Sequence, residues 1–235
     1  MAELGALPSA AALLAFAPRG DGHPVLVLPG YLGSDDSTSV LRGFLAELGH
    51  QTLPWKLGRN LGPRVVGLTD ALITRLGDAY ALAGGRKVSL VGWSLGGVQA
   101  RRLALDHPEW VRSVVMLGSP LGGMRAATVS RFYEQTTGRR RSPGSDPGPL
   151  DAIPRTAIFS RSDGVVAWPA AVEPETSTSE SIEVCGSHLG LGFNAAVLYA
   201  VADRLAQPEG RWRPFDRSGW RSIVYGKPPT RAAKA

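Results

Sequence analysis

VGWSLGG, residues 91–97, sets one serine between two glycines at the end of an apolar run, and how that serine is read decides the fold. In the pattern Gly-x-Ser-x-Gly the serine stands on a sharp turn between a strand and a helix. Spelling alone does not establish such a turn. With 29 glycines among 235 residues, a chance match is roughly 30% probable. The context carries the argument. KVSLVG (87–92) reads as a buried strand, and Leu95, Val98, Leu103 and Leu105 mark a helix over 95–105. At such a junction the serine is forced to a positive φ, and the residues two before and two after it approach closely. Gly92 and Gly96 occupy the two positions where a Cβ would collide.

The same alternation extends in both directions. HPVLVLPG (23–30), QTLPW (51–55), SVVMLGSP (113–120), RTAIFS (155–160) and SIEVCG (181–186) read as further strands. Between them, Val40, Leu41, Phe44, Leu45 and Leu48 recur at helical spacing behind Ser37, which can cap that helix, and Gly49 ends it. Leu68, Leu72, Leu76 and Ala79 mark another helix, stopped at Gly84-Gly85, and a last one runs from about Leu191 to Ala206 with Phe193, Val197, Val201 and Leu205 on one face. Strands alternating with helices predict an α/β fold, a mostly parallel sheet of about six strands covered on both faces. The expected organisation is an N-terminal segment (1–22), a core (23–206) and a tail (207–235). The tail's Trp212, Phe215, Trp220 and Tyr225 suit packing on the core. Residues 121–150 lack clean periodicity and contain GRRRSPGSDPGP, which reads as an insertion or a small lid.

Composition narrows the function classes. Hydrophobic residues make up 43% and charged ones 20%, enough to build a buried core. The net charge of +6 comes mostly from arginine, since Lys56, Lys87, Lys227 and Lys234 are the only lysines. These charges are dispersed and show no nucleic-acid motif, so no nucleic-acid partner is expected. Attraction to anionic substrates or to a lipid interface stays open. Cys185 is alone, so no internal disulfide forms, and it is expected to pack as a small apolar side chain. The apolar AALLAFA near the start has no basic residue before it, which argues against a signal peptide. No stretch approaches the ~18 apolar residues of a membrane helix. The expectation is a cytoplasmic protein of undetermined oligomeric state.

A serine hydroxyl becomes a useful nucleophile only when a neighbouring base takes its proton. Four histidines compete. His23 precedes the first strand, His50 opens the second, and His107 lies between a helix and a strand, all at the edge of the sheet opposite the serine. His188, in CGSHLGLG, follows the last strand and so reaches the carboxyl edge where Ser94 stands. The acid should leave the preceding strand at that edge. Asp163 in SRSDGVVAW does so, whereas Asp151 precedes the strand and Asp203 lies in the final helix. The chain order is then Ser94, Asp163, His188.

With these pieces assembled, the chain resembles the α/β-hydrolase superfamily, and within it small bacterial esterases and lipases of the triacylglycerol-lipase type. The matching stretches are HPVLVLPGYLGSD, GWSLGG, LGSPLGG, SRSDGVVAW and GSHLGLG, spread over residues 23–206. The resemblance implies a minimal α/β-hydrolase fold without a large cap domain, leaving 121–150 as the only candidate lid. Its Arg139, Arg140 and Arg141 could meet an anionic head group. It also implies an oxyanion hole of two backbone amides, those of Leu95 and Tyr31. Where lipases often carry His-Gly before the second of these, this chain has Pro29-Gly30. Trp55, Trp93 and Trp168 fall near carboxyl-edge loops and are candidates to line an acyl pocket. The implied activity is serine carboxylic-ester hydrolysis on a small-molecule or lipid ester, with no metal and no organic cofactor. Acyl transfer or thioester hydrolysis would use the same groups, and a ligand-binding protein without catalysis is a third alternative.

Overall fold

Val25 and Val27 point to one side of the first strand and Leu26 and Leu28 to the other, and all four are fully buried. A strand apolar on both faces must be covered on both. The computed structural model, which describes residues 15–122 and 153–226, shows how. Six strands form one sheet: β1 (Pro24–Leu28), β2 (Gln51–Pro54), β3 (Val88–Trp93), β4 (Val111–Leu117), β5 (Arg155–Phe159) and β6 (Ser179–Glu183). Their order is β2-β1-β3-β4-β5-β6, and every neighbouring pair is parallel. All the carboxyl ends therefore open on one edge.

The helices divide between the faces. Helices α1 (Ser39–Glu47) and α4 (Ala195–Leu205) place Leu41, Leu45, Val197, Val201 and Leu205 against Val25, Val27, Val91, Val115 and Ile158. Helices α2 (Leu68–Leu82) and α3 (Leu95–Asp106) place Leu72, Leu76, Ala100 and Leu103 against Leu26, Leu28, Leu90, Val114 and Met116. The period of two in the strands thus feeds two separate apolar layers. A final helical turn, α5 (Arg221–Val224), lies in the tail, where Phe215 and Tyr225 are buried in the α1–α4 layer. The tail is tied down at Glu180 of β6, whose Oε2 accepts from the Phe215 amide at 2.8 Å while its Oε1 accepts from Arg204 at 2.7 Å.

Three local expectations need correction. Ser37 does not cap α1. It lies inside a 3-10 turn (Asp35–Thr38), and its hydroxyl donates to the Ser34 carbonyl at 2.6 Å. The last helix starts at Ala195 rather than near Leu191, because the Asn194 side chain accepts from the Ala196 and Val197 amides and so fixes the start there. Cys185 is exposed, because Val184 takes the inward position after β6 and the next side chain turns outward. Of the stretch read as an insertion or lid, residues 123–150 lie outside the described residues, as do Arg139, Arg140, Arg141 and Asp151.

Candidate active site

The turn from β3 into α3 is built as the glycines require. Ser94 has φ 53° and ψ −118°, which a residue with a Cβ rarely adopts. Its amide donates to the Leu117 carbonyl at 2.8 Å, so the strained residue is tied to the end of the neighbouring strand β4. A Cβ on Gly92 would stand 2.4 Å from the Gly96 carbonyl carbon, and one on Gly96 would stand 2.4 Å from the Leu28 carbonyl oxygen. Backbone cannot yield at such distances, so both positions need glycine. Leu95 is the first residue of α3, which puts its amide at a helix N-terminus beside the serine.

Asp163 and His188 come from the loops after β5 and β6 and meet at the same edge. His188 Nδ1 lies 2.7 Å from Asp163 Oδ2, with both side chains buried. An ionised carboxylate only accepts, so Nδ1 carries the hydrogen, and in the neutral imidazole the lone pair is then on Nε2. The other carboxylate oxygen, Oδ1, accepts from the Val165 and Val166 amides at 2.8 Å each. Burial pushes the Asp163 pKa up, but the His188 hydrogen bond and these two amides outweigh it and hold the carboxyl below its ordinary value. Gly118, just beyond β4, has φ 54°, and a Cβ there would lie 3.0 Å from Asp163 Oδ2 and 3.2 Å from His188 Nδ1. The pair therefore sits against the end of the strand to which Ser94 is bonded. A second tie runs from Trp93, whose indole nitrogen donates to the His188 carbonyl at 3.1 Å.

The loop after β1 closes the other side. Residues 30–33 form a turn in which the Gly33 amide donates to the Gly30 carbonyl at 3.0 Å, with Tyr31 second in that turn. A Cβ on Gly30 would be 3.3 Å from the Ser94 Cβ, so the turn presses directly on the serine. The buried Asn60, in the loop after β2, holds this turn through its side chain and its backbone. Among the described residues, no group of three or more His, Cys, Asp or Glu side chains is placed to hold a metal ion. No described helix is long and apolar enough to cross a membrane.

A family model for the alpha/beta hydrolase fold matches residues 70–169, from α2 through the Asp163 loop. Lipase BlEst2 of Bacillus licheniformis superposes with a TM-score of 0.58 at 15% identity, over 79% of this chain and 92% of that one. The chain has the α/β-hydrolase fold. Est1E from Butyrivibrio proteoclasticus, solved with ferulic acid bound, gives 0.57 at 14% identity, over 78% of this chain and 86% of that one. The pyrethroid hydrolase PytH gives 0.57 at 16% identity, over 78% and 97%. No curated protein sequence matches the chain. These identities establish the fold and leave the chemistry to the site.

Within this α/β-hydrolase fold the three tryptophans fall in different places. Trp93 lies in the α1–α4 layer and braces His188. Trp55 is fully buried in the α2–α3 layer, with its indole donating to the Gly58 carbonyl at 2.8 Å. Trp168 follows the Asp163 loop, partly exposed, stacked on Phe159 and covered by the Arg161 guanidinium at 4.1 Å from its ring centre. The other histidines stay away from this edge. His23 is buried beside Ser89, His50 packs edge-on against His23, and His107 stacks on Trp110. Sequence reasoning passed over Asn60 and Gly118. Asn60 sits in the glycine-rich loop KLGRNLGP, where an ordinary turn asparagine would look the same.

Proposed function

We propose that the chain is a serine carboxylic-ester hydrolase. The observation that carries this reading is the buried His188–Asp163 hydrogen bond, set at the same sheet edge as a serine held at positive φ on a glycine-flanked turn. Strain of that kind persists where the surroundings over-determine it, and it gathers at functional sites.

In this reading Ser94 Oγ attacks the ester carbonyl and passes its proton to His188 Nε2. Asp163 holds the imidazole in the tautomer that can accept it and stabilises the positive charge that results. The carbonyl oxygen becomes an oxyanion, received by the Leu95 and Tyr31 amides. The carbon–oxygen bond to the alcohol then breaks, and His188 returns the proton to the departing oxygen. An acyl-serine remains. Water, deprotonated by His188, attacks it and releases the carboxylic acid, restoring the serine. No step calls on a metal or an organic cofactor.

Leu32 and Leu189, adjoining the Tyr31 turn and His188, are 47% and 70% exposed. Apolar side chains at that position favour an ester with an apolar acyl group or a lipid ester. Hydrolysis of p-nitrophenyl esters from acetate to palmitate, by the wild type and by Ser94→Ala, tests the reading. Activity in the wild type that disappears in a folded Ser94→Ala supports it. Activity retained in that variant contradicts it. Added alcohols as competing acceptors separate hydrolysis from acyl transfer by the products formed.

A further inference from the structure

Asn60 is fully buried, and each of its polar groups is engaged. Its side-chain nitrogen donates to the Pro29 carbonyl at 2.8 Å and to Gln99 Oε1 at 2.8 Å. Its side-chain oxygen accepts from Gln99 Nε2 at 3.2 Å and from the Gly62 amide at 3.1 Å. Its backbone carbonyl accepts from the Leu32 amide and its backbone amide donates to the Gly33 carbonyl, both at 2.8 Å. One residue thus grips the loop after β1 at Pro29, Leu32 and Gly33. The amide group is saturated in this orientation, and flipping it would set oxygen against the Pro29 oxygen.

Two further facts give this clamp a direction. Leu32 has φ 62°, a left-handed conformation that a branched side chain disfavours, and the bonds to Asn60 fall on its own amide and on the next residue. Gln99, the other half of the amide pair, lies on α3 a turn beyond Leu95. The Asn60–Gln99 pair therefore spans from the turn that contains Tyr31 to the helix that begins with Leu95.

We infer that Asn60 and Gln99 are positioning residues for the oxyanion hole, fixing the distance between its two halves, an inference that rests on the ester-hydrolase reading above. Neither touches substrate. A hole assembled from one loop amide and one helix amide works only if both converge on the position of the developing charge, and a displacement of about 1 Å can lower turnover by about 10²-fold. Substrate in its ground state carries no such charge and depends less on that spacing.

The test uses the full chain as wild type, Asn60→Ala, Gln99→Met and Gln99→Glu. kcat and KM are measured on a p-nitrophenyl ester, with inhibition by phenylboronic acid, whose tetrahedral adduct on serine mimics the charged intermediate, and thermal melting as a check on folding. The expected result for Asn60→Ala is a kcat lower by roughly 10- to 100-fold, with KM within about threefold and boronate affinity falling in step with kcat. Gln99 is partly exposed, so Gln99→Met decides the matter should Asn60→Ala not fold. A smaller loss of the same pattern is expected there. Gln99→Glu, which keeps an acceptor for the Asn60 nitrogen but sets its second oxygen against Asn60 Oδ1, should not recover it. Folded variants with wild-type kcat and boronate affinity, differing only in melting temperature, would overturn the inference and leave Asn60 a structural loop clamp. A wild type that neither turns over any ester nor reacts with a fluorophosphonate would instead remove the hydrolase reading, and this inference with it.

Discussion

A serine, a histidine and an aspartate lie near each end of β3, and the two sets are built in opposite senses. At the amino edge, His23 Nδ1 lies 2.5 Å from Asp21 Oδ1 and His23 Nε2 lies 2.9 Å from Ser89 Oγ, which is in turn 2.9 Å from Ser113 Oγ. Here Ser89 and His23 are fully buried and the acid is the open end, 49% exposed and paired with Arg112. At the carboxyl edge the acid is the sealed end, with the Asp163 side chain 2% exposed, and the serine is the partly open one. Ser89 sits within a regular strand, whereas Ser94 stands at positive φ ahead of a helix N-terminus and beside a second loop. The linear order acid, histidine, serine is thus not what marks a nucleophile. Accessibility of the serine, its positive φ and the helix N-terminus beside it are what separate the two sets.

The largest expected effect tests that distinction directly. Ser94→Ala should lower turnover by about 10⁴- to 10⁶-fold, while Ser89→Ala leaves it within about twofold, since no reacting group touches it. Steady-state hydrolysis of one ester by both variants is the measurement. Comparable losses in the two would erase the contrast. Next, Asp163→Asn should reduce kcat by about 10⁴-fold, because an amide can hold His188 in the wrong tautomer. Asp21→Asn, at the other edge, should reduce it little.

The third expectation concerns acid. Burial pushes the His23 pKa down to about 4 from 6.5, against the opposing pull of Asp21 and with help from Arg112 and His50. His50 is pushed down as well, chiefly by burial. Between pH 6.5 and 4 the unfolded chain binds protons at these positions that the folded chain refuses, so stability falls as the pH is lowered through that window. The His23 share is on the order of 2–3 kcal/mol. Urea denaturation across this range should show the slope, and His23→Gln should flatten part of it. Asp163 acts at lower pH. Its carboxyl is held below the ordinary range, so its contribution is present above that range and is lost as the pH falls through its folded value. The smallest effect is on stability in Ser89→Ala, about 1 kcal/mol at neutral pH for the lost hydrogen bond to His23, read from the same denaturation curves.

Most of the fold was legible because its signals are local. β1 reads as a run buried on both faces, and the alternation of such runs with helical spacing fixes a parallel sheet before any contact is known. The glycine pattern around Ser94 is legible for the same reason, since one turn geometry demands it. Chain ends of elements were less so: Asn194 capping α4 is visible only once its hydrogen bonds are, and the apolar Leu191 and Phe193 before it imitate a longer helix. At the site, the sequence places Asp163 and His188 after successive strands, while the 2.7 Å contact between them belongs to the folded chain. Asn60 was illegible. Its meaning lies in contacts with Pro29, Leu32, Gly33 and Gln99, residues distant from it in the chain, and asparagine in a loop has too many ordinary uses to signal them.

Labelling the folded protein with a fluorophosphonate and mapping the modified peptide tests the central claim most directly. The account predicts a single adduct on Ser94, absent in Ser94→Ala and undiminished in Ser89→Ala. An unlabelled wild type, or an adduct on a different serine, would contradict it.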